Sequence, residues 1–133
     1  MTDNPVLADT SIWIEYFRNK NRAVVERVDR LLETDRIVTL ELVEAELYRG
    51  ARSEKEIRFL EEYFARLPVL ETPIHFWREV GRFCYKLARK GFLPHLADAC
   101  IALAALENRV TLFSADKDFR RIAALSDLKL FEA

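Results

Sequence analysis

Apolar residues in this chain follow two rhythms. Short continuous blocks recur at "PVLAD" (residues 5–9), "RIVTL" (36–40), "PVLET" (68–72), "VTLFS" (110–114) and "LKLFE" (128–132). Blocks of this length between polar residues predict strands, and so little internal polarity predicts burial on both faces. Between them the apolar positions switch to helical spacing. "RAVVERVDRLLETD" puts Val24, Val25, Val28, Leu31 and Leu32 on one stripe. "SEKEIRFLEEYFARL" opens with a capping box, Ser53 to Glu56, and carries Ile57, Leu60, Tyr63 and Phe64 on one face. "ELVEAELYRGAR" predicts a helix ending near Gly50. "PIHFWREVGRFCYKLARKG" predicts a long one, with Pro73 near its start and Gly91 just past its end. Shorter helices are expected from Ser11 or Ile12 to about Phe17, with Thr10 or Ser11 as N-cap, and over "KDFRRIAAL". Strands alternating with single or paired helices predict an α/β fold with a largely parallel sheet. No repeat, low-complexity tract or linker interrupts the pattern, so residues 1–133 are expected to form one domain.

A few acidic positions break these patterns. Asp9 follows Val6, Leu7 and Ala8 directly, and apolar sequence resumes at Ile12. A carboxylate placed beside a core costs several kcal/mol, of order 3–5, unless it is paired or binds a cation. Asp98 is the one charge in "LADACIALAAL", a helix apolar nearly all round and therefore expected inside the protein. A helix-dipole role alone would not require so dry a helix behind it. Asp116 follows "VTLFS" as Asp9 follows "PVLA". Ligands of open parallel sheets bind beyond the carboxyl ends of the strands, so Asp9, Asp98 and Asp116 are expected to converge there. Asp118 fits either a cap of the last helix or a further member of the group. In "ELVEAELYRG" both Glu44 and Glu46 flank the core stripe, and periodicity does not choose between them.

Composition narrows the chemistry. With 133 residues, half of them hydrophobic and 32% charged, the chain is of globular type. A net charge of −1 means that binding to a polyanion would need locally concentrated Lys and Arg. Candidates are Arg78, Arg82, Lys86, Arg89 and Lys90 on one helix, Arg49 and Arg52, and Arg18, Lys20 and Arg22; a solvated surface explains each equally well. Three glycines leave no P-loop and no dinucleotide fingerprint. Cys84 and Cys100 lie in separate helical contexts and read as buried thiols, and the two histidines form no zinc motif. No apolar run reaches the roughly 18 residues of a membrane span, and no leader pattern is visible, so a cytoplasmic location is expected. Clustered carboxylates at neutral pH must share protons or bind a cation, and an oxygen-only donor set favours Mg²⁺ or Mn²⁺. A glycosidase-like acid/base pair is the rival use, and it accounts for fewer of these acids.

The ordered segments "VLADTSIWIEYF", "VEAELYRGA" and "HLADACIALAALENRVTLFSADKDF" resemble the PIN-domain nucleases, and within them the VapC-type toxins of toxin–antitoxin pairs. The resemblance spans nearly the whole chain. It implies a PIN-like domain with a central, mostly parallel twisted sheet flanked by helices. It further implies a metal-dependent endoribonuclease whose acidic quartet holds Mg²⁺ or Mn²⁺. By motif the quartet is Asp9, Glu46, Asp98 and Asp116, Glu46 being chosen because it directly precedes the Leu of "ELYRG". Ser114 stands where the family often has threonine. Ser11 or Thr10 could hydrogen-bond a ligand carboxylate, and Asp118 matches an extra acid of some members. The implied partners are RNA as substrate, a small VapB-type antitoxin and a second copy of the chain. Large apolar residues near Trp13, in "RFLEEYF" and at Trp77 are candidates for those contacts. The alternative is a PIN-fold module that binds nucleic acid or a partner with little or no hydrolysis.

Overall fold

The computed structural model describes residues 4–132. Its centre is a parallel three-stranded sheet of β1 (Val6–Ala8), β2 (Ile37–Val38) and β3 (Thr111–Phe113), in the order β2-β1-β3. Val6 pairs with Ile37 on one side and Thr111 on the other, and Leu7 with Val38 and Leu112. All three residues of β1 are inaccessible to solvent, as its apolar run predicted for a strand covered on both faces.

The two remaining apolar blocks form single bridges and not strands. Val69 bridges Thr39 and Leu130 bridges Leu112, both in parallel sense. Each is held by two backbone bonds: Thr39 N–H to Pro68 O and Leu70 N–H to Thr39 O on one side, Leu112 N–H to Lys129 O and Phe131 N–H to Leu112 O on the other. The sheet is thus flanked at both edges by one-residue stubs.

Seven helices surround the sheet among the described residues. They are α1 (Thr10–Arg18), α2 (Arg22–Glu33), α3 (Glu41–Arg49), α4 (Glu54–Phe64), α5 (Phe76–Arg89), α6 (Leu96–Asn108) and α7 (Asp118–Ala124). Their boundaries follow local chemistry. Asn21 caps α2 through Val24 N–H, and Asn19 ends α1 in the left-handed conformation that Asn tolerates. Ser53 accepts from Glu56 N–H, while the Glu56 side chain reaches back to Arg52 N–H, one residue earlier than the usual box. The expected start of α5 at Pro73 shifts to Phe76, because His75 adopts φ 66° and breaks the turn that precedes it. Gly91, at φ +108°, ends the same helix as expected.

Helix α6 is the structural axis. Ala99 through Ala105 are buried without a break, and the helix packs against α3, α5, α7 and β3. Its alanines let those neighbours approach closely, so enlarging Ala102, which has no exposed surface, is expected to cost about 1–3 kcal/mol by overpacking. Trp13 is completely buried, with its ring 5.1 Å from that of Phe64 and 5.6 Å from that of Phe17. It therefore belongs to the core, whereas Phe59 and Trp77 remain about half exposed. Cys84 is half-buried, Cys100 is buried, and both are free thiols.

Candidate acidic site

Chain direction brings the acids together. β1 and β3 run parallel, so the segments that leave their carboxyl ends are neighbours, and Asp9 N–H still donates to Phe113 O at 3.0 Å. Beyond that bond the backbone turns into α1 and Asp9 becomes its N-cap, with Oδ1 accepting from Ile12 N–H at 3.1 Å. The expected cap was Thr10 or Ser11. Asp9 takes the position because it is the last residue with extended backbone, and the two hydroxyl residues are used elsewhere.

Each residue of "DTS" has a distinct partner. Ser11 Oγ donates to Asp9 Oδ1 at 2.6 Å and accepts from Ala115 N–H at 3.0 Å. Thr10 Oγ1 donates to Glu46 Oε1 at 2.5 Å, fixing a side chain of α3 against the start of α1. From the far side, Ser114 Oγ donates to Asp9 Oδ2 at 2.5 Å and accepts from Asp116 N–H at 2.9 Å. The Ser11 and Ser114 hydroxyls lie 3.4 Å apart, with each single hydrogen already directed at Asp9. Both Asp9 oxygens are therefore oriented by donors. Burial nonetheless pushes its carboxyl above the usual range, against the three hydrogen bonds that favour the ionised form, and Asp116 adds repulsion.

Asp98 enters from the first turn of α6, and Asp116 lies in the loop after β3. Asp118 sits in the first turn of α7, where its N–H binds Asp116 Oδ1 at 2.9 Å. One oxygen from each of Asp98, Asp116 and Asp118 lies within 4.8 Å of the others. Asp118 thus joins the group and does not cap α7, whose N-cap is Lys117. The Asp98 carboxyl is pushed up to about 6. Burial is the main cause, followed by repulsion from Asp116, and the nearby His95 opposes it.

Glu46 approaches from another side and is not part of the three-carboxylate group. Its neighbours are Thr10 and Cys100, whose thiol is pushed up to about 11 by burial and then by the Glu46 charge. Glu44 lies apart, near Glu41 and Tyr48, with its carboxyl raised by partial burial and by Glu41.

Two hollows adjoin the acids. One, of about 420 Å³, lies between α1, α3 and α4 beside Glu46, with Ile14, Phe17, Phe59 and Leu60 in its wall. The other, of about 320 Å³, opens beside Asp116 and is the more polar, with Arg27 and Arg120 at its edge. No sequence pattern points to the second, since Arg27 reads as an ordinary polar position of an amphipathic helix.

Residues 6–125 match the PIN domain family model. The chain is 32% identical over 130 residues to a VapC ribonuclease of Mycobacterium bovis, covering 93% of this chain and 96% of that protein. It is also 32% identical to Ribonuclease VapC1 of Haemophilus influenzae, over 90% of this chain and 92% of that one. Its fold superposes on a chain of VapBC-1 from nontypeable Haemophilus influenzae with a TM-score of 0.76 at 30% identity, covering 96% of both. A chain of VapBC2 from Rickettsia felis has the same fold, with a TM-score of 0.77 at 19% identity, over 95% of this chain and 96% of that one.

Proposed function

We propose, from the premise that the chain belongs to the PIN domain family and to the VapC ribonucleases within it, that this protein is a metal-dependent endoribonuclease and the toxin of a toxin–antitoxin pair. The observation that carries the reading is the convergence of Asp9, Asp98, Asp116 and Asp118 where β1 and β3 end, with Glu46 held alongside by Thr10. We read residues 1–133 as one catalytic domain working in the cytoplasm.

The donor set fits a hard divalent cation. It consists of carboxylate oxygens, three of them grouped, and burial together with mutual repulsion raises the Asp98 and Asp9 carboxyls, both of which a bound cation would counter. Asp98, Asp116 and Asp118 lie close enough to share one ion, and Asp9 and Glu46, by the family motif, would join Asp98 and Asp116 in holding it, with Mg²⁺ or Mn²⁺ as the ion. When bound, such an ion supplies a water of lowered pKa and screens the charge that develops on the phosphate. The chain's own part is positional. Ser11 and Ser114 orient Asp9, and Thr10 orients Glu46, so the carboxylates need little reorganisation as the reaction proceeds. Water oxygen attacks phosphorus, the bond from phosphorus to the leaving ribose oxygen breaks, a carboxylate of the quartet takes the proton of the attacking water, and the leaving oxygen takes up a proton from solvent.

The apolar hollow beside Glu46 fits the apolar face of an antitoxin segment. A basic side chain of that segment would be drawn to the same acids as the metal, which would silence the enzyme. A homodimer is part of the same reading, with exposed Trp77 and Ile74 as apolar surface available to a second copy.

The test is cleavage of a mixed RNA substrate by the purified chain with Mg²⁺, with Mn²⁺ and with chelator. Internal cuts that need the metal and vanish in Asp98→Asn support the reading. Binding of RNA without cleavage under all metal conditions would replace it with a binding module.

A further inference from the structure

We infer that the hollow between α2, β3 and α7 is a nucleotide subsite of the RNA track, in which Arg27 and Arg120 hold backbone phosphate next to the cleaved one. The inference rests on the ribonuclease reading and assigns where its substrate lies. The hollow shares Ser114 and Asp116 with the acidic site, so a strand with one phosphate at the acids passes directly into it. Its volume of about 320 Å³ is of the order of small-ligand pockets.

The lining has the chemistry of a nucleotide. Phe119 is buried and only backs the hollow, so the ring within reach of a ligand is that of Phe131, which is half-buried and 5.1 Å from that of Phe113. A base has a flat apolar face and stacks on such rings without sequence preference. Arg27 comes from α2 and Arg120 from α7, two elements distant in sequence that deliver cations to one rim. Both are exposed, and packing does not require either. A guanidinium fork matches two phosphate oxygens, which a lysine does not. In a chain of net charge −1 these two guanidinia are the cations of the lining, and they stand against Asp116 within it. Glu132 on the same rim limits the attraction. The hollow beside Glu46 also has two arginines, Arg18 and Arg52, set against Glu46 and Glu56, and differs in a more apolar wall of Ile14, Phe17, Phe59 and Leu60.

The test compares wild type with Arg27→Ala, Arg120→Ala, the double variant and the corresponding Lys variants. Steady-state cleavage of a short single-stranded RNA is followed with Mg²⁺. In parallel, binding of a fluorescent copy of that RNA is followed by anisotropy in an Asp9→Asn background. Each Ala variant should raise KM about tenfold and leave kcat within about twofold, the size expected for one charged phosphate contact. The double variant should flatten the salt dependence of binding by about 1.4 in log–log slope, roughly 0.7 per contact. Lys should restore part of the loss, and melting temperatures should stay at the wild-type value. Unchanged KM, affinity and salt slope in the double variant would overturn the subsite. RNA binding without cleavage by wild type would fail the nuclease reading, while the anisotropy arm would still decide the subsite. Absence of RNA binding by the Asp9→Asn chain would overturn the subsite as well.

Discussion

The Thr10 hydroxyl donates to Glu46 Oε1 at 2.5 Å across 36 residues of sequence. This bond ties the glutamate of α3 to the residue that follows Asp9, so two of the acids share one rigid corner. Removing the donor should release Glu46 without touching its charge. Thr10→Val should therefore lower kcat by about tenfold to a hundredfold, the range for lost partners of metal-site ligands, while Thr10→Ser keeps most activity. Glu46→Gln should abolish cleavage and Glu44→Gln should leave it largely intact. The reverse order of the two glutamate variants would place the wrong residue of α3 in the site.

Metal should stabilise the folded chain, because it binds the native cluster and not the unfolded carboxylates. At a cation concentration a hundred times its dissociation constant the gain is about 2.7 kcal/mol. Melting curves with and without Mn²⁺ test this. Asp98→Asn should raise the melting temperature of the metal-free chain and remove most of the metal effect.

The same residue sets a pH dependence in the metal-free chain. The Asp98 carboxyl rises from 3.8 in the ordinary state to about 6 in the fold, mainly through burial. Below the ordinary value both states bind the proton and nothing is lost. Between about 4 and 6 the unfolded chain releases its proton first, so stability falls as pH rises, and above about 6 the penalty is constant. Urea titrations from pH 4 to 7 should show this fall, shallower in Asp98→Asn than in wild type.

Asp9 has a second duty as the cap of α1, and this governs how it should be tested. Asp9→Ala removes the Ile12 N–H acceptor and leaves the Ser11 and Ser114 hydroxyls without their shared partner. Loss of the cap alone costs about 1 kcal/mol, a few degrees of melting temperature in a chain of this size. Asp9→Asn keeps an oxygen for the cap. Both variants should lose cleavage and toxicity, but only Asp9→Ala should melt appreciably below wild type.

Phe59 is 51% exposed in the wall of the hollow beside Glu46. Phe59→Asp should fold normally and keep ribonuclease activity, while co-expressed antitoxin no longer restores growth. Retained neutralisation would move the antitoxin to another face.

Much of this arrangement is legible in the sequence, for reasons that particular residues make clear. Helix α6 is visible because an apolar stretch interrupted only by Asp98 has no surface to offer water, and the structure buries Ala99 through Ala105. The acids at Asp9 and Asp116 are visible because each ends an apolar strand. "PVLET" and "LKLFE" read as strands yet make one bridge each, since composition marks an extended backbone but not how many partners it finds. The choice of Glu46 over Glu44 was out of reach of helical periodicity, which places both beside the same stripe, and it came from the "ELYRG" motif. The cap role of Asp9 and the place of Arg27 depend on backbone angles and on contacts between distant elements, which no local pattern encodes.

The one-residue stubs at Val69 and Leu130 have a consequence for solubility. A parallel sheet with an open border strand displays unpaired amide and carbonyl groups, a template on which other chains add and polymerise. Here the Thr39 and Leu112 positions bordering the sheet are already engaged, and the segments that engage them pair at a single residue. Such short flanks offer an incoming strand too little ladder to extend. The sheet is thus closed against self-propagating assembly without the length of two further strands.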